Sequence, residues 1–232
     1  MSIAALGVDT GINRTALAVR EDGGIECVSS VARPRVGAAE SALMIRAVRE
    51  AVRSALWSAG ELTTVAMERL VFGRGTGLGA HLSLEWAVVE GALEALRLAA
   101  GRVPDPEALQ LVVCRPAPTQ LKKFVTGRGD TRKSEVGRFI ERRWPQAPEE
   151  EDEAEAYALL KFAQCRREFE LGQVTRDDAG DWTQFQVDLA ARDLWSERKD
   201  GNLETLTVTG ADALELAAEF RAAWTEGREV AR

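Results

Sequence analysis

Three short apolar or alternating segments open the chain with only a turn between each: residues 3–8 (IAALGV), 15–20 (TALAVR) and 24–31 (GIECVSSV), separated by GINR and EDG. Turn signals this close together leave room for hairpins and nothing longer, so the opening predicts three consecutive antiparallel strands. A chain that starts this way has a sheet with two unsatisfied faces, which later segments must cover. The next segment, 38–58, spaces Ile45, Val48, Val52 and Leu56 by three and four with charged residues between them, which predicts an amphipathic helix. TTVAMER (63–69) reads as a fourth strand, followed by a glycine-rich loop, FGRGTGLG (72–79). Leu82, Trp86, Val89, Leu93 and Leu96 then repeat at helical spacing, and LQLVVC (109–114) reads as a buried fifth strand stopped by Pro116 and Pro118.

Val136, Ile140 and Trp144 stripe one further helix, and Leu159, Phe162, Cys165 and Phe169 help line another. The order β-β-β-α-β-α-β-α-α predicts an α/β fold, a ribonuclease-H-like five-stranded mixed sheet flanked by helices. Past Arg176 the signal weakens. DWTQFQVDL and NLETLTVTG read as strands around a polar ERKDGN turn, and residues 211–224 as a helix. This C-terminal extension, 176–232, shows no site chemistry of its own.

A length of 232 residues supports one sizeable core plus such an extension. The longest stretch free of Asp, Glu, Lys and Arg is ten residues, Gly75–Leu84, about half of a membrane-spanning helix. The N-terminus lacks a basic start and meets Asp9 before a secretory core can form, so the expected location is the cytoplasm. Cys27, Cys114 and Cys165 are odd in number and far apart, which suits reduced thiols and fits neither a disulfide framework nor a CxxC zinc site.

The net charge of −7 argues against a non-specific nucleic-acid coat, but the average hides two opposed segments. Arg115–Arg143 holds nine basic residues against three acids, whereas in EEEDEAE (149–155) six of seven residues are carboxylates. Such a run is either a solvated helix start, where acids favour the dipole, or a source of ligands for a divalent metal beside a phosphate-binding surface.

Carboxylates also stand at strand ends. Asp9 ends the first strand before Thr10-Gly11 and Glu68 ends the fourth, and in this topology those strands are neighbours. An Asp before glycine also serves as a plain turn former. Asp152 and Glu155, three apart, share a helix face that continues through Leu159 and Phe162 toward the sheet; Glu151 lies near the rim of that face by angle. Converging carboxylates without His or Cys favour Mg²⁺ or Mn²⁺. His81, the only histidine, leaves His-based triads and zinc sites little to work with and reads as a capping or structural residue.

GVDTG (7–11), the Glu in VAMERL (65–70), APTQLKKFVTGRGDTRKSEV (117–136) and DEAEAYALL (152–160) occur in the order and approximate spacing of RuvC-type Holliday-junction resolvases. The resemblance spans about residues 3–165, and its most specific piece is the middle one: a proline, a lysine pair, a V-T-G-x-G turn and a further lysine. Thr10 stands where the family usually has proline, Glu155 where aspartate is commoner, and the tail exceeds that of the typical bacterial enzyme, as in phage and prophage relatives. The resemblance implies a RuvC-like nuclease domain over 1–175 that cleaves branched DNA, with Asp9, Glu68, Asp152 and Glu155 holding two Mg²⁺ or Mn²⁺ ions.

In such a site two metals about 4 Å apart activate a water and neutralise the leaving oxygen, giving a 5′ phosphate and a 3′ hydroxyl. Lys133 is placed to stabilise charge on the scissile phosphate, or is an exposed helix lysine. Lys122, Lys123, Arg128 and Arg132 hold the DNA backbone, each contact making binding salt-dependent. On the glycine-rich loop Arg74 joins the DNA contacts, and Phe72 either stacks on an unpaired base or anchors the loop in the core. A junction with two equivalent strands to cut suits a homodimer, expected through the helix at roughly 81–99 with Leu84, Val88 or Leu98 exposed.

Two rivals remain at this level. Asp-Thr-Gly after a first strand also resembles the phosphate loop of actin-like and sugar-kinase folds, which predicts a duplicated domain. A catalytically silent branched-DNA-binding relative is the other.

Overall fold

The computed structural model describes residues 3–11, 13–21, 26–32, 40–56, 59–68, 78–175, 178–191 and 205–215. Strands β1 (Ile3–Thr10), β2 (Arg14–Glu21), β3 (Glu26–Ala32), β4 (Ala59–Met67), β5 (Gln110–Cys114) and β6 (Thr205–Thr209) form one mixed sheet in the order β3-β2-β1-β4-β5-β6. The opening meander is antiparallel, β4 and β5 run parallel to β1, and β6 closes the far edge antiparallel to β5.

Six helices of eight residues or more are described: α1 (Glu40–Ala55), α2 (Leu78–Ala100), α3 (Pro118–Thr126), α4 (Lys133–Arg143), α5 (Glu151–Glu170) and α6 (Gln184–Ala191). Leu6, Val8, Val65 and Met67 face α1 and α2, and the alternate positions Ala5, Ala66 and Cys114 face α5. The second set is small for a reason. A Cβ on Gly7 would lie 2.1 Å from the Leu160 N and 2.2 Å from the Ala156 carbonyl, so α5 rests its backbone on β1. Every residue of α5 from Ala156 to Arg166 is buried. It is a central helix, walled on its outer side by Phe124 of α3, Val136 and Ile140 of α4 and Val187 of α6.

The expected five strands become six. Val208 of the extension packs into the α2-side core and β6 pairs Leu111 with Val208, which removes the open edge that β5 would otherwise present. DWTQFQVDL, expected as a strand, holds α6 instead: Gln186 Oε1 accepts from the Thr183 N–H (3.1 Å) and Thr183 Oγ1 from the Gln186 N–H (3.3 Å), a capping box. Residues 210–215 are helical, and the rest of the helix expected over 211–224 lies outside the described residues. A helix not expected from the sequence, α3, starts at Pro118, where a missing N–H costs nothing, and ends at Gly127 with φ 81°.

The apolar stripe that predicts α2, Leu82, Trp86, Val89, Leu93 and Leu96, lies largely on its outer face, with only Leu96 buried. Leu84, Ala87, Val88, Ala92, Ala95 and Leu96 are buried, and Gly91 lets α1 approach until a Cβ there would be 2.6 Å from the Arg49 carbonyl. Trp86 is 64% exposed, with Leu82, Val89 and Leu93 half-buried beside it. Leu84 and Val88, expected at a dimer surface, are therefore core residues; Leu98 is half-buried.

Candidate metal centre and nucleic-acid interface

Gly7 pairs with Ala66 and Val8 with Met67 across β1 and β4, so Asp9 and Glu68 follow side by side where the parallel strands end. Both continue the alternation that faces α5. The strand carrying Asp9 extends one residue past it, to Thr10, so Asp9 is held by pairing with Ala16 and is not a free turn residue. Because α5 lies against Gly7, its first turns pass over this edge and deliver Glu155. Carboxylate oxygens of Asp9, Glu68 and Glu155 lie within 4.8 Å of one another. Asp152 stands outside that group, one turn nearer the helix start, and still acts on Asp9 through its charge.

Three acids this close are poorly accommodated as anions. Burial, then the charges of Glu155, Glu68 and Asp152, push Asp9 up to about 7, against a smaller opposite pull from Lys133. Glu68 is pushed up to about 7 by burial and Glu155, with Lys133 and Lys122 opposing. Burial also raises Glu155, and Lys133 offsets part of the effect. Lys133 Nζ bridges Glu151 Oε1 (3.1 Å) and Glu155 Oε1 (3.3 Å). Burial alone would lower that ammonium; the two carboxylates outweigh it and hold it above the ordinary lysine range.

The acidic run is divided among three tasks. Arg14, on β2, clamps the helix start through Glu150 (2.6 Å) and Glu153 (2.7 Å) and also donates to Ser30 Oγ (2.8 Å). Glu151 and Glu155 take Lys133, and Glu155 also joins the strand-end cluster, which Asp152 reaches only through its charge. Neither Arg14 nor Lys122, close enough to Glu68 to act on its charge, was legible as part of this centre: both signals lie in pairing across distant segments. A buried acid on α2, absent from the expected site residues, had a local signal. Glu85 interrupts the apolar run of that helix, is 4% exposed, and pairs with Arg115 at the end of β5.

The basic segment forms the rim. Lys123, Arg132 and Lys133 are exposed and Lys122 is half-buried. Arg128 is exposed too, but Asp130 holds its guanidinium through two bonds of 3.1 and 3.2 Å, so it presents less free charge than the sequence suggests. Phe72 and Arg74 lie outside the described residues, as does the His81 side chain. Cys114 and Cys165 are buried free thiols; burial pushes both up to about 12, which makes them inert at neutral pH. Among the described residues there is a single sheet, with no second lobe of the kind an actin-like fold would need, and no helix long and apolar enough to cross a membrane.

The fold is RuvC-like. The Thermus thermophilus RuvC structure is similar with a TM-score of 0.50 at 20% identity, over 72% of this chain and 96% of that one. The structure of T. thermophilus RuvC in complex with Holliday junction substrate has a TM-score of 0.49 at 17% identity, over 74% of this chain and 97% of that one. No protein-family model and no curated protein matches the chain.

Proposed function

We propose that this protein is a divalent-metal-dependent, structure-selective endonuclease that cuts four-way or other branched DNA, leaving a 5′ phosphate and a 3′ hydroxyl. The observation that carries the reading is the meeting of Asp9, Glu68 and Glu155, from β1, the end of β4 and α5, within 4.8 Å. The donor set fits Mg²⁺ or Mn²⁺: it is all carboxylate oxygen, and two of its members are held near 7, so a hard cation would take the place of protons that the cluster otherwise keeps. Asp9, Glu68 and Glu155 would hold the metal, with Asp152 completing the shell of a second ion. When bound, two such ions supply an activated water and offset charge on the departing 3′ oxygen.

The chain's own residues do the rest. Lys133, tied to Glu151 and Glu155, is fixed at the edge of the cluster, where a scissile phosphate oxygen would meet its ammonium. Lys122, Lys123 and Arg132 bind the DNA backbone along the same rim, with Arg128 contributing once its pairing to Asp130 is exchanged for phosphate. Residues 1–175 form the nuclease domain in this reading.

Two symmetric cuts call for two sites, and the outer face of α2 suits a homodimer: Trp86 is exposed among Leu82, Val89 and Leu93, an apolar stripe with charge only at its margin. The Trp86→Glu variant should sediment as a monomer where the parent sediments as a dimer.

The deciding assay incubates the protein with labelled four-way junction and with linear duplex, in Mg²⁺, Mn²⁺ or EDTA, and separately with ATP. Junction cleavage that needs metal and ignores ATP is the expected result. Binding without cutting in either metal would leave a silent DNA-binding relative.

A further inference from the structure

A second polar centre lies on the same central helix, away from the carboxylates. A cavity of about 200 Å³ opens between β2, the end of α4, the second half of α5 and the start of α6. Three polar side chains of its wall, Lys161, Gln164 and Gln186, are each no more than 5% exposed. Empty cavities are lined by apolar groups, whereas roomy polar ones hold a guest with hydrogen-bonding atoms. Lys161 Nζ bonds to Glu26 Oε1 and, among the described residues, to no second acceptor, although an ammonium has three donors. Gln164 gives Nε2 to the same Glu26 (3.2 Å), and its carbonyl oxygen has no partner among the described residues.

The rest of the wall says what the guest is. Trp182 offers ring surface; Trp144 is buried against Phe124 and Tyr157, with Arg143 over its indole 5.7 Å from the ring centroid, and gives the wall only an edge. Arg20, paired with Glu26 (3.2 Å), and Arg143, whose Nη2 donates to Gln186 Oε1 (2.6 Å), bring positive charge to the opening, beside Asp181 and Glu168, whose carboxylate already accepts from Trp182 Nε1 (2.6 Å). Ring surface, amide groups and cations together are the donor set for a nucleotide. Position agrees: α4 runs from Lys133 beside the carboxylates to Arg143 at the cavity, about 15 Å at 1.5 Å per residue, a few nucleotides along a strand.

We propose that this cavity takes one unpaired nucleotide of the DNA strand that passes the carboxylate cluster, its ring against Trp182 and its phosphate against Arg20 and Arg143. The proposal rests on the nuclease reading for the identity of the strand, and on the cavity alone for the chemistry of the guest.

The test is a calorimetric titration of the full chain with dAMP and with deoxyribose 5-phosphate. The base should tighten binding by about five- to a hundred-and-fifty-fold, the range that stacking on aromatics gives. Arg20→Glu should weaken dAMP at least tenfold and Asp181→Lys should tighten it several-fold, opposite signs that a loss of packing would not produce. On four-way junction, Arg20→Glu should raise KM and leave kcat unchanged. No dAMP binding, equal binding of the sugar phosphate, or dAMP binding with an unaltered junction KM would overturn the proposal. If the parent cuts no branched DNA while dAMP binds with the expected charge dependence, the nuclease reading fails and the nucleotide chemistry of the cavity stands.

Discussion

Helix α5 carries two groups of buried acids and bases, and they are solved in opposite ways. At its start, Asp9, Glu68 and Glu155 crowd together with one lysine at their margin, and Asp9 and Glu68 are both held near 7. Farther along, Glu26 is surrounded by donors: the Tyr157 hydroxyl, Lys161 Nζ and Gln164 Nε2 all point to it. Burial pushes Glu26 up, but the bonds from Lys161 and Tyr157 outweigh it and leave its carboxyl below the ordinary glutamate value. The charge of Glu26 is met within the protein, while in the proposed reading the charge of the first group is met by a cation. Unrelieved like charge on a rigid frame is what separates a binding centre from a structural ion pair on one helix.

The contrast breaks most visibly at Asp9. Asp9→Asn should lower junction cleavage by more than about a hundredfold, since even residues one shell outside a metal typically cost 10- to 100-fold. The same change should leave the metal-free melting temperature level or raise it, because one repelling charge is gone. Junction binding should survive and tighten at low salt, which a salt series in EDTA would read. Glu26→Ala should do the reverse. It leaves Lys161 buried without its acceptor and should cost about 3–5 kcal/mol in urea denaturation, the range for breaking a buried pair, without altering metal affinity.

Gly7 tests whether the frame matters. A methyl there meets the α5 backbone at 2.1 Å, so Gly7→Ala should destabilise by about 1–3 kcal/mol and reduce cleavage, because Glu155 moves away with its helix. The pH dependence separates the two groups by sign. Asp9 and Glu68 rise to about 7 from ordinary values of 3.8 and 4.5, so their contribution to metal-free stability is complete below 3.8 and is lost as pH rises through 7. Glu26 is lowered from 4.5, so its contribution is present above 4.5 and lost as pH falls through its folded value. In EDTA the melting temperature should therefore fall between pH 5 and 8, and Asp9→Asn should flatten that slope. The smallest effect expected is at Gly137 on α4, where a Cβ meets nothing within 4 Å; Gly137→Ala should stabilise by about 0.5–1 kcal/mol and leave cleavage unchanged.

Much of the frame is legible in the chain because short strands and tight turns admit few alternatives. The meander and the stripe Val136–Ile140–Trp144 follow from spacing, and the adjacency of β1 and β4 from the element order of the expected ribonuclease-H-like topology. The face of α2 does not. Its buried side mixes Leu84, Val88 and Leu96 with alanines and Gly91 so that α1 can approach, while Trp86, its largest apolar residue, points outward, the reverse of what size alone suggests. The sixth strand is legible in NLETLTVTG, but its place in the sheet is not, because an edge strand is stabilised by the partner edge of β5, which local pattern does not encode. For the carboxylates, periodicity placed Asp152 and Glu155 on one face, yet only the backbone contact at Gly7 decides that Glu155 joins Asp9 and Glu68 while Asp152 stays a turn behind. The motif marks Lys122 as a DNA-backbone lysine, but its effect on Glu68, like the pairing of Arg14 with Glu150 and Glu153, spans tens to over a hundred residues of chain, beyond the reach of any local signal.

The central claim is that the Asp9, Glu68 and Glu155 carboxylates are a cation site kept partly protonated until metal binds. Titrating Mn²⁺ into the protein at pH 7 in two buffers of different ionisation enthalpy measures binding and proton release together. The account predicts saturable binding with release of protons in the parent, and loss of both in Asp9→Asn. Equal Mn²⁺ binding by the parent and Asp9→Asn, or no binding by the parent, would contradict it.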